Sequence, residues 1–181
     1  MGNRVSEVEG VKITQMKSSG DARGSFIKFH PNLVLTSQLD SVAISYNVKP
    51  GTIRGIHFQV EPFAEEKLVS CINGAIFDVV VDLRPNSPTF GKWTSFELSK
   101  ENSQQAYLPK GIAHGYQTLL QDSIVHYSLS AGYSPNSSYA INPFGDLGIN
   151  WPLMVESISE RDSRGIQFSI AAQKYAQSLK G

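Results

Sequence analysis

A chain of 181 residues has room for one domain that buries most of its apolar surface without disulfide or metal staples. Sixteen basic side chains balance sixteen acidic ones, so no overall field recruits nucleic acid or a membrane surface, although a local basic pocket for a phosphate stays open. One cysteine, Cys71, excludes an intrachain disulfide and suits a reducing compartment, and no run of 18 apolar residues offers a membrane span. The expectation is one cytoplasmic domain over 1–181.

Val11, Ile13 and Met16 allow a short opening strand, and Ser18-Ser19-Gly20-Asp21 reads as a turn. Arg23 to Phe29 follows as a small strand or arm carrying an exposed cation and two aromatics, broken by Pro31-Asn32. The first 30 residues are thus expected to form an N-terminal arm. Ser41 to Val48 alternates, with Val42, Ile44, Tyr46 and Val48 on one face. Lys49-Pro50-Gly51 turns into Arg54-Gly55-Ile56-His57-Phe58-Gln59. Lys67 opens the strand to Ile72, and Asn73-Gly74 is the strongest hairpin signal, with Ala75–Leu83 pairing back. There Phe77, Val79, Val81 and Leu83 share one face and Ile76, Asp78, Val80 and Asp82 the other. Two carboxylates on an otherwise apolar face need either water or partners. Strands at Trp93–Leu98, Gln105–Leu108, Gly115–Leu119 and Ser123–Ala131 continue the series. So many short strands, with almost no helical period before residue 150, predict an all-β sandwich or barrel. Only the tail reads as helix: Ile166, Ile170, Lys174, Tyr175 and Leu179 predict one within 163–181.

The chemistry-bearing residues are few. His57 has Phe58 beside it, Arg54 three residues before and Lys67 ten after: a base, an apolar wall and two cations. Those are parts for abstracting a proton next to a carbonyl and catching the negative charge. A half-buried structural histidine is the plainer alternative for His57 taken alone. His114 lies among small neighbours in Pro109-Lys110-Gly111-Ile112-Ala113-His114-Gly115-Tyr116, which admit close approach. His126 reads as structural or exposed, and His30 has no evident partner. There is no His-x-His, so no metal is expected, and neither a nucleotide-binding glycine loop nor a Gly-x-Ser-x-Gly elbow occurs. Tyr127 and Tyr133 would stand about 20 Å apart on a straight strand at some 3.3 Å per residue, so both reach one site only if the chain bends at Gly132. Arg54 and His57 would fall on opposite strand faces unless Gly55 marks a bulge.

Together these segments resemble the dTDP-4-dehydrorhamnose 3,5-epimerase family of the cupin superfamily, from about Asp21 to Asp162. The resemblance is carried by Gly51-Thr52-Ile53-Arg54-Gly55-Ile56-His57-Phe58-Gln59, Lys67-Leu68-Val69, Gly74 to Arg84, and Ser87-Pro88-Thr89-Phe90-Gly91-Lys92-Trp93. It continues in Leu108 to Tyr116, Tyr133-Ser134-Pro135 and Leu147-Gly148-Ile149-Asn150-Trp151-Pro152. It implies a jelly-roll barrel without metal or other cofactor, usually a homodimer, acting on a nucleotide-diphospho-4-keto-6-deoxy sugar. It further implies that His57 is the base, Asp162 its orienting carboxylate, Lys67 the cation on the enolate oxygen and Tyr133 the acid on the opposite face. Arg54, His114, Tyr127 and Gln59 would line the sugar-diphosphate site, with Asp78 or Asp82 holding His114. Arg23 and Phe26 would contact the nucleotide, often across the dimer.

Some positions depart from the family pattern. Val42, Ile44, Tyr46 and Val48 stand where polar residues are usual, Lys28 where a glutamate is common, and Tyr139 where an arginine often sits. An intact catalytic set beside an altered recognition set implies the same chemistry on another nucleotide sugar, or inversion at one carbon. A ketoisomerase or dehydratase on a related sugar nucleotide, a non-catalytic sugar-nucleotide-binding barrel, and a metal-dependent oxygenase are the competing readings.

Overall fold

The computed structural model describes residues 4–28 and 35–181. His30 and the break at Pro31-Asn32 lie outside the described residues. The first half of the chain supplies Arg4–Val5 (β1), Lys12–Gln15 (β2), Lys17–Asp21 (β3), Gly24–Lys28 (β4), Ser41–Asn47 (β5), Thr52–Gln59 (β6), Lys67–Asn73 (β7) and Ala75–Asp82 (β8). The second half supplies Trp93–Ser99 (β9), Gln104–Leu108 (β10), Ile112–Thr118 (β11), Ser123–Leu129 (β12), Ser138–Ala140 (β13) and Ser157–Ile158 (β14). Two helices close it, Glu160–Ser163 (α1) and Phe168–Ser178 (α2).

The strands form two facing sheets, ordered β1-β2-β10-β7-β12-β5 and β13-β6-β11-β8-β9. This is the expected cupin-like jelly-roll sandwich. Val69, Cys71, Val125 and Leu108 of the first sheet meet Ile76, Val80, Phe96 and Leu98 of the second in one buried core. The outer face of the second sheet is covered too: Ile56, Phe58, Val79 and Val81 pack under Tyr175 of α2 and under Trp93, Leu147 and Trp151. Burial on both faces explains the nearly unbroken apolar run of β8.

Three expectations change. Asn73-Gly74 does not close a hairpin within one sheet: β7 pairs with β10 and β12, and β8 with β9 and β11. The turn carries the chain from one sheet to the other, so the apolar faces of both strands meet the same core. Ser18 to Asp21 is strand rather than turn; the reversal falls between Asp21 and Gly24, which pair directly. Among the described residues only this exposed hairpin stands apart from the two sheets, so the described part of the expected arm is the hairpin, β2 being a strand of the first sheet. The tail helix starts at Phe168, whose N–H donates to Asp146 at 2.9 Å, a carboxylate at the donor-rich helix N-terminus. Its buried face is Ala171, Ala172 and Tyr175, whereas Ile170 and Leu179 are exposed.

Candidate active site

His57 reaches the barrel interior because β6 breaks its own alternation. His57 pairs with His114 and Arg54 with Tyr116, so three steps on β6 oppose two on β11. The extra residue puts Arg54 and His57 in one cleft. Gly55 allows it: its φ is +111°, and a Cβ there would lie 2.6 Å from the Gly115 Cα.

β14 then lies parallel to the start of β6, with Ile158 beside Ile53, and delivers α1 behind His57. Ser159 caps α1 by accepting from the Asp162 N–H at 3.1 Å. Asp162 is 4% exposed; its carboxylate accepts from His57 Nε2 at 2.6 Å and from the Gly55 N–H at 3.1 Å. Burial opposes ionisation of Asp162, but the hydrogen bonds and charge of His57, with those from Gly55 and Ser159, outweigh it and hold the carboxyl below its ordinary value. With Nε2 as donor to the carboxylate, Nδ1 of His57 keeps its lone pair.

The cleft holds about 440 Å³. Its walls are Ser41, Ala43 and Ser45 of β5, Arg54, His57, Phe58 and Gln59 of β6, and Glu65 and Lys67 at the start of β7. His114, Tyr116, Tyr127 and Leu129 form the depth, and Tyr133, Ser138 and Arg161 the rim. Lys67 lies 3.2 Å from Glu65, the two side chains being 9% and 11% exposed. Arg54 is aimed by Asn47, whose carbonyl accepts from Nε at 2.8 Å. In the depth His114 Nε2 is hydrogen bonded to Asp78 at 2.9 Å, both fully enclosed. Burial drives the Asp78 carboxyl above its ordinary value, with His114 and Lys67 pulling the other way. Burial likewise pushes the Tyr127 phenol well up.

His57, Lys67, Tyr133, Arg54, His114, Tyr127 and Gln59 therefore meet in one cleft, with Asp162 directly behind His57. Tyr127 and Tyr133 share it because β12 ends at Leu129, before Gly132. The Gln59 amide, however, is spent on protein: it accepts from Ser134 N–H at 2.8 Å and donates toward Gly132, Phe63 and Glu65. Arg23 and Phe26 are not brought in; they sit on the exposed hairpin, where Arg23 pairs with Asp21. Asp82 is not the partner of His114: it accepts from Arg84, Ser87 and Thr89, so both β8 carboxylates are buried and partnered rather than solvated.

The face Val42, Ile44, Tyr46, Val48 points away from this cleft and is exposed. Tyr139 is stacked on Phe58 at 5.6 Å and covered by the Lys174 ammonium, a packing role. Lys28 is exposed beside Phe26. Glu65 and Arg161 were missed by sequence reading. The signals available were Glu65 two residues before Lys67 and Arg161 immediately before Asp162. Arg161 donates to the Tyr133 hydroxyl oxygen at 3.3 Å and to Ser138 at 2.8 Å. Among the described residues, no group of three or more His, Cys, Asp and Glu side chains is placed to hold a metal ion, and no helix is long and apolar enough to cross a membrane.

A jelly-roll cleft with a carboxylate-backed histidine, a buried lysine and tyrosines places an imidazole, an ammonium and phenols around one space, groups able to move a proton beside a carbonyl. The family model described as dTDP-4-dehydrorhamnose 3,5-epimerase matches residues 5–169. The chain belongs to that family and is an epimerase, an isomerase-class enzyme. It is 42% identical over 161 residues to the dTDP-4-dehydrorhamnose 3,5-epimerase of Sinorhizobium fredii, covering 84% of this chain and 82% of that one. It is 34% identical over 162 residues to the dTDP-4-dehydrorhamnose 3-epimerase of Streptomyces niveus, covering 86% and 78%. Among solved structures, that of the 3,5-epimerase of Bacillus anthracis with TDP and pyrophosphate bound superposes with a TM-score of 0.84 at 34% identity, over 92% of this chain and 99% of that one.

Proposed function

We propose that the chain inverts C3, or both C3 and C5, of a nucleotide-diphospho-4-keto-6-deoxy sugar through an enolate. His57 Nδ1 takes the proton α to the ketone, and the Asp162 carboxylate steadies the imidazolium that results. Lys67, shielded from water, stabilises the negative charge growing on the ketone oxygen. A tyrosine of the cleft, Tyr127 or Tyr133, returns a proton to the opposite face of the ring. Because Arg161 donates to the Tyr133 oxygen, the hydroxyl proton is left to point elsewhere. Arg54 takes the diphosphate by charge-assisted hydrogen bonds. The observation that carries the reading is the 2.6 Å His57–Asp162 contact opening onto the same cleft as Lys67 and Tyr133.

The nucleotide in the relatives' names is dTDP, and a dTDP-linked 4-keto-6-deoxy sugar is the substrate we infer. The expectation of another nucleotide loses its support within one chain, since Val42, Ile44, Tyr46 and Val48 do not line the cleft. We read those four instead as part of a homodimer interface. Among the described residues β5 is the open edge of the first sheet, and an exposed apolar edge strand invites pairing. In that dimer the partner's hairpin would carry Arg23 and Phe26 to the nucleotide. A cytoplasmic location is part of the same proposal, in keeping with the single, buried Cys71.

Incubation with dTDP-4-keto-6-deoxyglucose in deuterated water tests the chemistry. Deuterium at C3, with or without C5, is expected, together with inverted product by NMR. No exchange with that substrate or its GDP-, CDP- and UDP-linked counterparts sinks the reading. Phe26→Ala should raise KM with little change in kcat, and light scattering should give twice the chain mass.

A further inference from the structure

Tyr127 and Tyr133 are held in different ways. Tyr133 is 66% exposed, and among the described residues its hydroxyl has one hydrogen bond, the 3.3 Å contact from Arg161. Tyr127 reaches inward from β12, its ring T-shaped to that of His114 with the centroids 6.1 Å apart. Its hydroxyl is hydrogen bonded to that of Tyr116, which enters from β11 on the facing sheet.

Tyr116 is enclosed, and its own hydroxyl is fixed. It meets Ser45 Oγ at 3.0 Å and donates to Asn47 Oδ1 at 3.3 Å. Asn47 cannot turn its oxygen away, because its amide nitrogen donates to the carbonyls of Ser45 at 3.3 Å and Ser123 at 3.0 Å. The same Oδ1 accepts from Arg54 Nε at 2.8 Å. With its proton committed to Asn47, the Tyr116 oxygen is left to accept the proton of Tyr127. Burial above all keeps Tyr127 a neutral phenol, and its contact with Tyr116 acts in the same direction. A matched polar network of this kind holds a unique arrangement.

We propose that Tyr116 is a positioning residue that fixes the Tyr127 hydroxyl as the acid of the epimerisation, anchored through Asn47 to the cation that takes the diphosphate. This rests on the epimerase reading given above, with His57 as base, and takes Tyr127 rather than Tyr133 as the proton donor. The Tyr127 O–H bond breaks as the new C–H bond forms; the enolate returns to ketone and the negative charge passes to the phenol oxygen. Removal of the first proton by His57 needs no acid on the far face. Loss of the Tyr116 hydroxyl therefore separates two steps, leaving exchange in place and slowing inversion.

Tyr116→Phe keeps the ring and the Arg54–Asn47 contact and deletes the anchor. With dTDP-4-keto-6-deoxyglucose in deuterated water, exchange and KM should stay close to native while inverted product forms about tenfold or more slowly. Because Tyr116 acts through Tyr127, the double variant Tyr116→Phe/Tyr127→Phe should invert no more slowly than Tyr127→Phe alone. Native inversion in Tyr116→Phe, equal losses of exchange and inversion, or losses that multiply in the double variant overturn the proposal. Ser45→Ala removes one partner of the Tyr116 hydroxyl from a half-buried position and serves if Tyr116→Phe does not fold. It should show the same split, with inversion down about threefold or more, and unchanged inversion overturns the proposal. Native inversion by Tyr127→Phe overturns it as well, moving the acid to Tyr133 with the epimerase reading intact. No exchange by the unaltered protein sinks that reading and the proposal together. Exchange that survives His57→Ala overturns the assigned base alone, leaving the double variant to judge Tyr116.

Discussion

Two histidine–carboxylate pairs sit face to face in the cleft, His57 with Asp162 and His114 with Asp78, the imidazoles being cross-strand neighbours on β6 and β11. Their surroundings differ. The side chain of His57 is 36% exposed and that of His114 only 4%. Asp162 comes from α1 outside the sheets and is met by His57, a backbone N–H and a serine, so it ionises readily. Asp78 projects from the middle of β8, its Oδ1 has no hydrogen-bond partner among the described residues, and burial raises its pKa. In the proposed mechanism the exposed pair exchanges protons with the substrate, while the other is built into the wall. The same two residue types are thus set to different work by solvation and by the count of donors around the carboxylate.

Breaking the exposed pair should cost most. His57→Ala should lower deuterium exchange by about 10³-fold or more, the upper part of the range for general base catalysis, with the fold intact by circular dichroism. Asp162→Asn keeps the shape but presents an amide that no longer stabilises the imidazolium or enforces the Nε2–H tautomer. A drop in kcat of about 100-fold is expected, with KM nearly unchanged. Were Asp78→Asn to slow exchange as much as Asp162→Asn does, the division of labour between the pairs would be wrong.

How much of this was legible beforehand depended on the residue. The strand series and His57, Lys67 and Tyr133 stood in runs distinctive enough to be read together. Gly55 and Gly132 flagged the two places where alternation had to fail, and the chain does depart from regular strand at both. The sheet change at Asn73-Gly74 was hidden, because a turn signal reports a reversal and not which sheet receives the next strand. The Val42–Val48 alternation was correctly seen as one face, but periodicity does not say which face looks inward. Gln59 was expected to touch substrate; its amide instead binds backbone 73 and 75 positions away, which no local pattern announces. Glu65 escaped for the same reason: its meaning lies in its contacts with Lys67 and Gln59.

The smallest effect is also the sharpest test of the comparison, because the two aspartates should make stability depend on pH in opposite senses. Asp162 has a lowered pKa in the fold, so its contribution is fully present above the unfolded value of about 3.9 and is lost as pH falls through the folded value. Asp78 has a raised pKa in the fold: the unfolded chain releases that proton first, and stability declines as pH rises from about 3.9 through the folded value. Removing each carboxylate removes its slope. Asp162→Asn should therefore lie nearest the native protein in acid and fall behind as pH rises toward 5. Asp78→Asn should do worst relative to native in acid and catch up as pH rises. Each kcal/mol corresponds to about 2–4 °C in Tm for a chain of this size, so thermal melts between pH 3 and 7 resolve the trends. Two variants drifting in the same direction would mean that His114 compensates Asp78 as fully as His57 compensates Asp162, and that the wall pair is no less an acid–base device than the one at the rim.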